Sequence, residues 1–324
     1  MPHAIRIHAT GGPDVLVFEQ VEVGDPGPGQ VRLRHTAIGL NYIDTYHRSG
    51  LYPMPLPSGI GSEAAGVIEA VGAGVTGLHK GDRVAYCGGA PGSYATDRVM
   101  PADRLVKIPD GIDDITAATL MLKGLTVQYL FRQTYVLKGG ETILFHAAAG
   151  GVGLIACQWA RALGVNMIGT VGSDDKAALA KANGCAHTIV YSREDFVART
   201  KEITGGKGVP VVYDSVGKDT FMQSLDCLQA RGLLVVFGNA SGPVSAFNLG
   251  ILAQKGSLYV TRPTLVTYTA TREAIQAMAK DLFDLVLAGK IKSEARQQYP
   301  LREAAAAHRA LESRVTTGAT VLLP

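Results

Sequence analysis

From Thr142 onward, short runs of apolar, β-branched residues alternate with stretches whose apolar positions recur at helical spacing. The strand-like runs are TILFHA (142–147), VNMIGTV (165–171), HTIVY (187–191), VPVVYDS (209–215), LLVVFG (233–238) and SLYVT (257–261). Helical stretches fall between them at 151–163, 174–182, 194–203 and 218–229. This alternation predicts an α/β domain over 125–261, a parallel sheet wound on both faces by helices. The preceding residues read differently. VRLRHTAIGL, EAAGVIEAVG and DRVAYCG are separated by turns such as GDPGPGQ and GAGVTG, which predicts a mostly antiparallel β domain. After Thr261 come a proline turn, an amphipathic helix (271–288) and a closing strand, ATVLL (319–323). That tail is too short for a domain of its own. It is expected to pack back on the first, giving one discontinuous domain of 1–124 and 262–324.

The junction of the first α/β strand with its helix carries the strongest chemical signal. It reads HAAAGGVGLIACQWARALG, an apolar strand, a glycine turn and a helix. Gly150 and Gly153 occupy the second and third positions of the G-x-G-x-x-G fingerprint, and Ala148 stands at the first. Gly150 lets backbone approach a pyrophosphate, and Gly153 lets the helix pack close on the strand. The N–H groups of the turn and first helical residues (Ala149, Gly150, Gly151, Val152, Gly153) would then cradle the diphosphate.

The end of the second strand bears on which dinucleotide is bound. NAD sites place an Asp or Glu about 20 residues beyond the last glycine, on the adenosine ribose. Here that position holds Gly172, followed by Ser173, Asp174, Asp175 and Lys176. The missing carboxylate leaves room for a 2′-phosphate, with Ser173 and Lys176 as donors and Tyr191 or Arg193 nearby. NADPH is the expected cofactor. The alternative is a ribose contact by Asp174 or Asp175. Ser215, in YDSVG, and Phe237, Gly238 and Asn239, in FGNASG, fall at strand ends on the expected cofactor edge.

Composition narrows the remaining classes. The 324 residues exceed what one core usually serves, and 47% hydrophobic with 18% charged content reads as a folded globular chain. A net charge of +3 with no basic run points away from a nucleic-acid surface. No signal or transit pattern and no membrane-length apolar stretch is present, so a cytoplasmic location is expected. Cys87, Cys157, Cys185 and Cys227 are scattered without C-x-x-C or nearby His, which argues against a zinc ribbon and a disulfide framework.

Taken together, AIGLNYIDTYHRSGLYP (37–53), GSEAAGVIEAVG (61–72), GDRVAY (81–86), LKGLTVQYL (122–130), HAAAGGVGLIACQWA (146–160), VVYDSVG (211–217) and NLGILAQKGSLYVTRP (248–263) make the whole chain resemble one superfamily. It is the medium-chain dehydrogenase/reductases, and within it the zinc-independent bacterial NADPH:quinone oxidoreductases related to zeta-crystallin. The resemblance implies a GroES-like β domain, a Rossmann domain and a homodimer. It implies that Asn41 and Asp44 border the nicotinamide ribose and the reacting face. Lys123, Thr126, Phe237, Gly238, Asn239, Arg262 and Arg314 are implied to line the cofactor cleft.

Departures from the zinc-dependent branch set the expected mechanism. Where that branch has a cysteine in C-x-x-D, this chain has Asn41-Tyr42-Ile43-Asp44, and where it has G-H-E this chain reads Gly61-Ser62-Glu63. Two metal ligands are lost, so no metal is expected. Quinones are electrophilic without a Lewis acid, so positioning is expected to suffice for hydride transfer. Tyr46 and Tyr52 are candidates for stacking on the quinone or for packing in a loop. Asp44 either faces the reaction or braces its loop. Reduction of an activated C=C bond in enones or enoyl thioesters is the rival activity. A crystallin-like or RNA-binding role is the rival of another class.

Overall fold

The computed structural model describes residues Met1 to Pro324. The chain divides into two compact units, one of Met1–Leu125, Tyr268–Gly289 and Ser293–Pro324, the other of Thr126–Thr267 with Lys290–Lys292. The sequence pattern drew the second border after residue 261, whereas the chain stays with the second unit to Thr267 and returns to it for Lys290–Lys292. Gln158 holds that returning tripeptide, donating Nε2–H to Lys292 O at 2.9 Å and accepting Lys292 N–H on Oε1 at 2.8 Å. No local pattern announces such a contact.

In the second unit six parallel strands lie in the order His187–Val190, Asn166–Val171, Thr142–Phe145, Val209–Asp214, Leu228–Val236, Tyr259–Thr261. The inner strands are covered on both faces, so they read as continuous apolar runs, and Ile143, Leu144, Val211 and Val212 have no solvent exposure. Strand order reverses beside Thr142–Phe145, which makes this the doubly wound Rossmann arrangement. Ligands of such sheets bind at the carboxyl ends of the strands flanking that reversal.

Four elements differ from expectation, and in three of them a side chain or turn captures backbone. The first strand stops at Phe145, since Ala147 adopts a left-handed φ of 57° and accepts the Gly150 N–H at 3.0 Å. The helix expected from 194 begins at Phe196, because the Asp195 carboxylate caps it through the N–H groups of Val197 and Ala198. The helix expected over 218–229 contracts to Phe221–Asp226, and the next strand reaches back to Leu228. Asp214 is responsible for the first part. Its Oδ1 accepts from Val216 N, Gly217 N and Thr220 Oγ1, which ties residues 215–220 into a turn. The remaining predicted ends agree within two residues.

Beneath these strand ends lies a polar network with almost no solvent exposure. His146 meets Thr170 Oγ1 through Nδ1 and Ser224 Oγ through Nε2, both at 2.9 Å, and Ser224 donates to Asp214 Oδ2 at 3.0 Å. Burial pushes the His146 pKa down, so the neutral ring links three strands and a helix through hydrogen bonds.

The first unit is built on a largely antiparallel sheet. Its path runs Ala295–Pro300, Ala319–Leu323, Gln30–Leu40, Glu63–Val71, Arg83–Cys87, Val106–Lys107, with Asp97–Pro101 pairing Gln30–Leu40. A smaller sheet orders Val17–Gln20, His3–Ile7 and Ser58–Gly59. Ile5, Leu33, Ile38, Ile60, Ile68 and Tyr86 belong to one core shared by both. The C-terminal strand Ala319–Leu323 pairs antiparallel with Gln30–Leu40, so the tail completes the N-terminal sheet. Several helices have no counterpart in the sequence pattern, among them Ala304–Glu312 and two that bear on the site. Tyr42–Ser49 occupies the segment expected as a loop, and Asp114–Tyr129 runs across the point where the units divide. The second is apolar nearly all round, so it shows no amphipathic period to read.

A Cβ at Gly153 would lie 2.4 Å from Ala147 O and 2.6 Å from Ala148 C, both backbone atoms. At Gly150 its nearest neighbour is Ala147 O at 3.3 Å. Gly153→Ala is therefore expected to destabilise the nucleotide-free fold by about 1–3 kcal/mol, and Gly150→Ala by less than about 1 kcal/mol. Urea unfolding of both variants checks this. Equal losses would mean that the helix does not rest on the strand end through Gly153.

Candidate active site

In the first unit, the end of strand Gln30–Leu40 runs into helix Tyr42–Ser49 through the N-cap residue Asn41. Asp44, at the third helical position, accepts the Asn41 N–H on Oδ2 at 2.9 Å, and Gly50 at φ 84° closes the helix. Asn41 Nδ2 donates to Glu63 Oε2 at 2.7 Å and to Gly39 O at 3.3 Å. Both partners are acceptors, which settles the orientation of the amide.

Glu63 has no solvent exposure. Lys123 Nζ lies 3.0 Å from its Oε2, and Leu122 N–H donates to Oε1 at 2.7 Å. A buried carboxylate left unpaired costs several kcal/mol, and these donors offset that cost. Close packing accompanies them, for a Cβ at Gly39 would fall 2.3 Å from Glu63 Oε2 and 2.2 Å from Ala118 O.

Asp44 sits at the end of a second chain of hydrogen bonds. Arg48 is held by Glu312 in a two-pronged ion pair and by Gly11 O. Its Nη1 is 3.0 Å from His308 Nδ1, so that nitrogen must accept and the ring proton sits on Nε2. Nε2 meets the Tyr94 hydroxyl at 3.1 Å, and Tyr94 donates to Asp44 Oδ2 at 2.9 Å. Ser62 Oγ donates to Oδ1 at 3.0 Å. Burial raises the Asp44 pKa to about 6 against the opposing hydrogen bonds and the Lys123 charge. Burial, aided by the Arg48 charge, lowers that of His308 to about 3.

The candidate tyrosines gather on the same helix and the segment after it. Tyr46 is in ring contact with Tyr42 at 5.8 Å and with Tyr52 at 5.2 Å. Tyr46 therefore stands on a helix, which corrects the loop expectation. Arg314, left-handed at φ 61°, hydrogen-bonds the Tyr42 side chain.

In the second unit, Gly150 caps the helix Gly151–Ala162, so Gly151, Val152 and Gly153 present the N–H groups that lack intrahelical acceptors. Ala148 is fully buried, and a Cβ on Gly169 of the neighbouring strand would lie 2.5 Å from its methyl group. Ser215 and Phe237–Asn239 converge, since a Cβ at Gly238 would fall 2.4 Å from Ser215 O. At the second strand end, Ser173 caps the next helix toward the Lys176 N–H, and the Tyr191 hydroxyl lies 2.9 Å from a Cβ position on Gly172. Arg193 forms an exposed two-pronged pair with Asp174, so neither is uncommitted as a ribose or phosphate contact. Thr126 is buried in this unit, and Arg262 hydrogen-bonds Pro263 O.

Sequence reasoning missed Glu63, Tyr94, Arg48 and His308 as members of the cluster. Glu63 was legible as the acid of G-S-E, whereas the other three come from distant segments with no shared motif. Asn41 and Ser62 each hydrogen-bond a buried carboxylate, and no group of three or more His, Cys, Asp or Glu is disposed to hold a metal.

Comparison with known proteins agrees with the architecture of the two units. The family model described as alcohol dehydrogenase GroES-like domain matches residues 27–110, and that described as zinc-binding dehydrogenase matches 151–283. A quinone oxidoreductase of Pseudomonas aeruginosa is 61% identical over 100% of both chains. A 2-haloacrylate reductase of a Burkholderia species is 51% identical over 100% of this chain and 99% of its own. The crystal structure of Escherichia coli quinone oxidoreductase complexed with NADPH superposes with a TM-score of 0.98 at 53% identity, covering 99% of this chain and 100% of that one.

The raised Asp44 pKa has a thermodynamic consequence. A carboxyl whose folded pKa lies at about 6, above its unfolded value of 3.8, contributes stability that is fully present below the unfolded value and is lost as pH rises through about 6. Relative to Asp44→Asn, the wild-type chain should lose about 2 kcal/mol between about pH 4.5 and 7.5. His35 and His308, with depressed values, act in the opposite direction but are common to both proteins. Urea titrations at the two pH values measure the difference, and a pH-independent gap would contradict the assignment.

Proposed function

The chain belongs to the quinone oxidoreductase branch of the medium-chain dehydrogenase/reductase superfamily, and we propose that it reduces quinones with NADPH, without a metal. The observation that carries this reading is the state of Asn41 and Ser62. They stand where the metal-dependent branch has ligands, and each is engaged by a buried carboxylate instead. Full-length similarity to quinone oxidoreductases supports it, as does the neighbour solved with NADPH.

The residues present fit the cofactor. Gly153 lets the helix rest on the strand end, Gly150 caps that helix without a side chain, and the helix N-terminus supplies N–H groups for a pyrophosphate. Gly172, Ser173, Lys176 and Tyr191 would surround the 2′-phosphate. When bound, NADPH supplies the hydride. Asn41, held by Glu63, would orient the reacting face, and Lys123 would place positive charge beside the oxygen that gains electrons. Tyr46 and Tyr52 would offer aromatic surface to a planar acceptor. Ser215, Phe237, Gly238, Asn239, Thr126, Arg262 and Arg314 complete the proposed cofactor lining. A second reading, reduction of an activated C=C bond, draws support from the 51% identical 2-haloacrylate reductase.

Purified protein should oxidise NADPH with small quinones and give almost no NADP-dependent oxidation of simple alcohols. Lys176→Ala should weaken NADPH about 10- to 100-fold while leaving NADH affinity nearly unchanged, as loss of a charged hydrogen bond would. A panel of quinones, activated alkenes and alcohols decides the acceptor. Turnover with alkenes but no quinone would move the assignment to the second reading, and robust alcohol oxidation would remove both.

The same reading places the enzyme in the cytoplasm, which four unpaired cysteines and the intracellular supply of NADPH support. It also includes a homodimer. Strand Tyr259–Thr261 is one of the two sheet edges, and Tyr259, Leu249 and Val266 are exposed at 60%, 71% and 62% in its vicinity along the chain. Light scattering should give twice the chain mass, with Tyr259→Asp shifting it toward the monomer. A monomeric wild-type protein would exclude the dimer.

A further inference from the structure

Resting on the quinone-reductase reading, we propose that Ser62 is the proton donor to the reduced quinone oxygen and that the Asp44 carboxyl group recharges it. The two oxygens of Asp44 are not equivalent. Oδ2 is taken by two donors, the Asn41 N–H and the Tyr94 hydroxyl, each at 2.9 Å. Oδ1 has Ser62 Oγ at 3.0 Å. The direction at Oδ2 is enforced from a distance. Arg48 cannot accept, so His308 accepts on Nδ1 and donates from Nε2, and the Tyr94 hydrogen is turned toward Asp44. A proton on Asp44 is thereby confined to Oδ1, facing Ser62. Its presence reverses that one hydrogen bond, so Oδ1–H donates to Oγ and the Ser62 hydrogen is released to point elsewhere.

Residual exposure and uncommitted hydrogens together make Ser62 the member proposed to meet a substrate. Asp44 and Tyr94 have none, while Ser62 keeps 5%. Asn41 keeps the same but has both Nδ2 hydrogens committed to Glu63 and Gly39. Lys123 is paired to Glu63 and serves as fixed charge. The charged and titratable groups facing Asp44 are Tyr94, raised well above its usual value by burial and by Asp44 itself, neutral His308 with Arg48 behind it, Lys123 and Glu63. Burial holds Asp44 near a pKa of about 6, which keeps a protonated fraction available near neutrality.

The step balances without a further reagent. The hydride delivered to the quinone leaves an electron pair on a quinone oxygen. The Ser62 O–H bond breaks as the quinone O–H bond forms, and Ser62 Oγ takes the proton from Asp44 Oδ1. Asp44 is left as the carboxylate and, after the hydroquinone departs, regains a proton through Ser62, whose hydroxyl passes its proton to Oδ1 and takes another from solvent. One hydride and one proton convert quinone to hydroquinone.

Infrared pH-difference spectra of the nucleotide-free protein test the proton's location. A protonated-carboxyl band should titrate near pH 6, vanish in Asp44→Asn, and move to higher frequency in Ser62→Ala, where Oδ1–H loses its acceptor. Single-turnover NADPH oxidation tests the transfer. With a quinone whose hydroquinone anion is strongly basic, the wild-type rate should fall about tenfold per pH unit above the Asp44 titration. Ser62→Ala should lower the rate on the acid side about a hundredfold and abolish that limb, and Ser62→Thr should restore both. An electron-poor quinone, whose product anion is weakly basic, should suffer less from Ser62→Ala. Wild-type rate and limb retained in Ser62→Ala, or no titrating carboxyl band, would overturn the proposal. A wild-type protein that oxidises NADPH with no quinone would instead remove the enzymatic reading, with the infrared titration still deciding whether Asp44 hands its proton to Ser62.

Discussion

Keeping the Glu63 carboxylate entirely out of water constrains everything around it. Three donors must reach it, and they come from separate places: Lys123 Nζ, Leu122 N–H and Asn41 Nδ2. Those contacts lock the end of strand Gln30–Leu40, the start of strand Glu63–Val71 and the middle of helix Asp114–Tyr129 into one arrangement. Gly39 is the steric counterpart, since any side chain there would strike the carboxylate or the Ala118 carbonyl. Removing one partner of such a pair costs about 3–5 kcal/mol, because the remaining charge stays buried. Stability of the unit and placement of Asn41 and Lys123 are therefore a single property.

Asp44 lies beside this pair under different terms. Glu63 is matched by a cation, whereas Asp44 receives only neutral donors directly, and its pKa rises. The contrast gives two neighbouring carboxyl groups two roles, one that positions a charge and one that exchanges a proton. It also explains how a site can lose its metal ligands and keep its shape. The amide and hydroxyl that stand in place of thiolate and imidazole each add one donor to a buried carboxylate that other donors already hold.

The second unit solves its own polar problem in a parallel way. Asp214 at a strand end is fully buried and gathers backbone N–H groups and two hydroxyls, with His146 linked through Ser224. That network underlies the strand ends at which a doubly wound sheet binds its ligand. The glycine turn beside it supplies approach rather than chemistry, through a left-handed Ala147 and the close contact of Gly153.

The alternation of apolar runs and helical stretches, the glycine turn and the absence of a carboxylate at Gly172 were legible along the chain because each depends on neighbours a few residues apart. So were the substitutions at Asn41 and Ser62, which sit in short motifs. Helix Asp114–Tyr129 was not legible, because a helix buried on all sides carries no amphipathic period. Helix Tyr42–Ser49 hid behind its polar residues, although its capping pair, Asn41 and Asp44, lies only three positions apart. The chain from Glu312 through Arg48, His308 and Tyr94 to Asp44 joins residues more than 200 positions apart. Only folding brings them together, and only their mutual burial gives Asp44 its altered pKa. Local pattern determined which backbone elements form and which cofactor geometry they favour. The tertiary structure decided which carboxyl group is neutralised by charge and which is left able to take up a proton, because desolvation and hydrogen-bond direction exist only once distant side chains share one dry space.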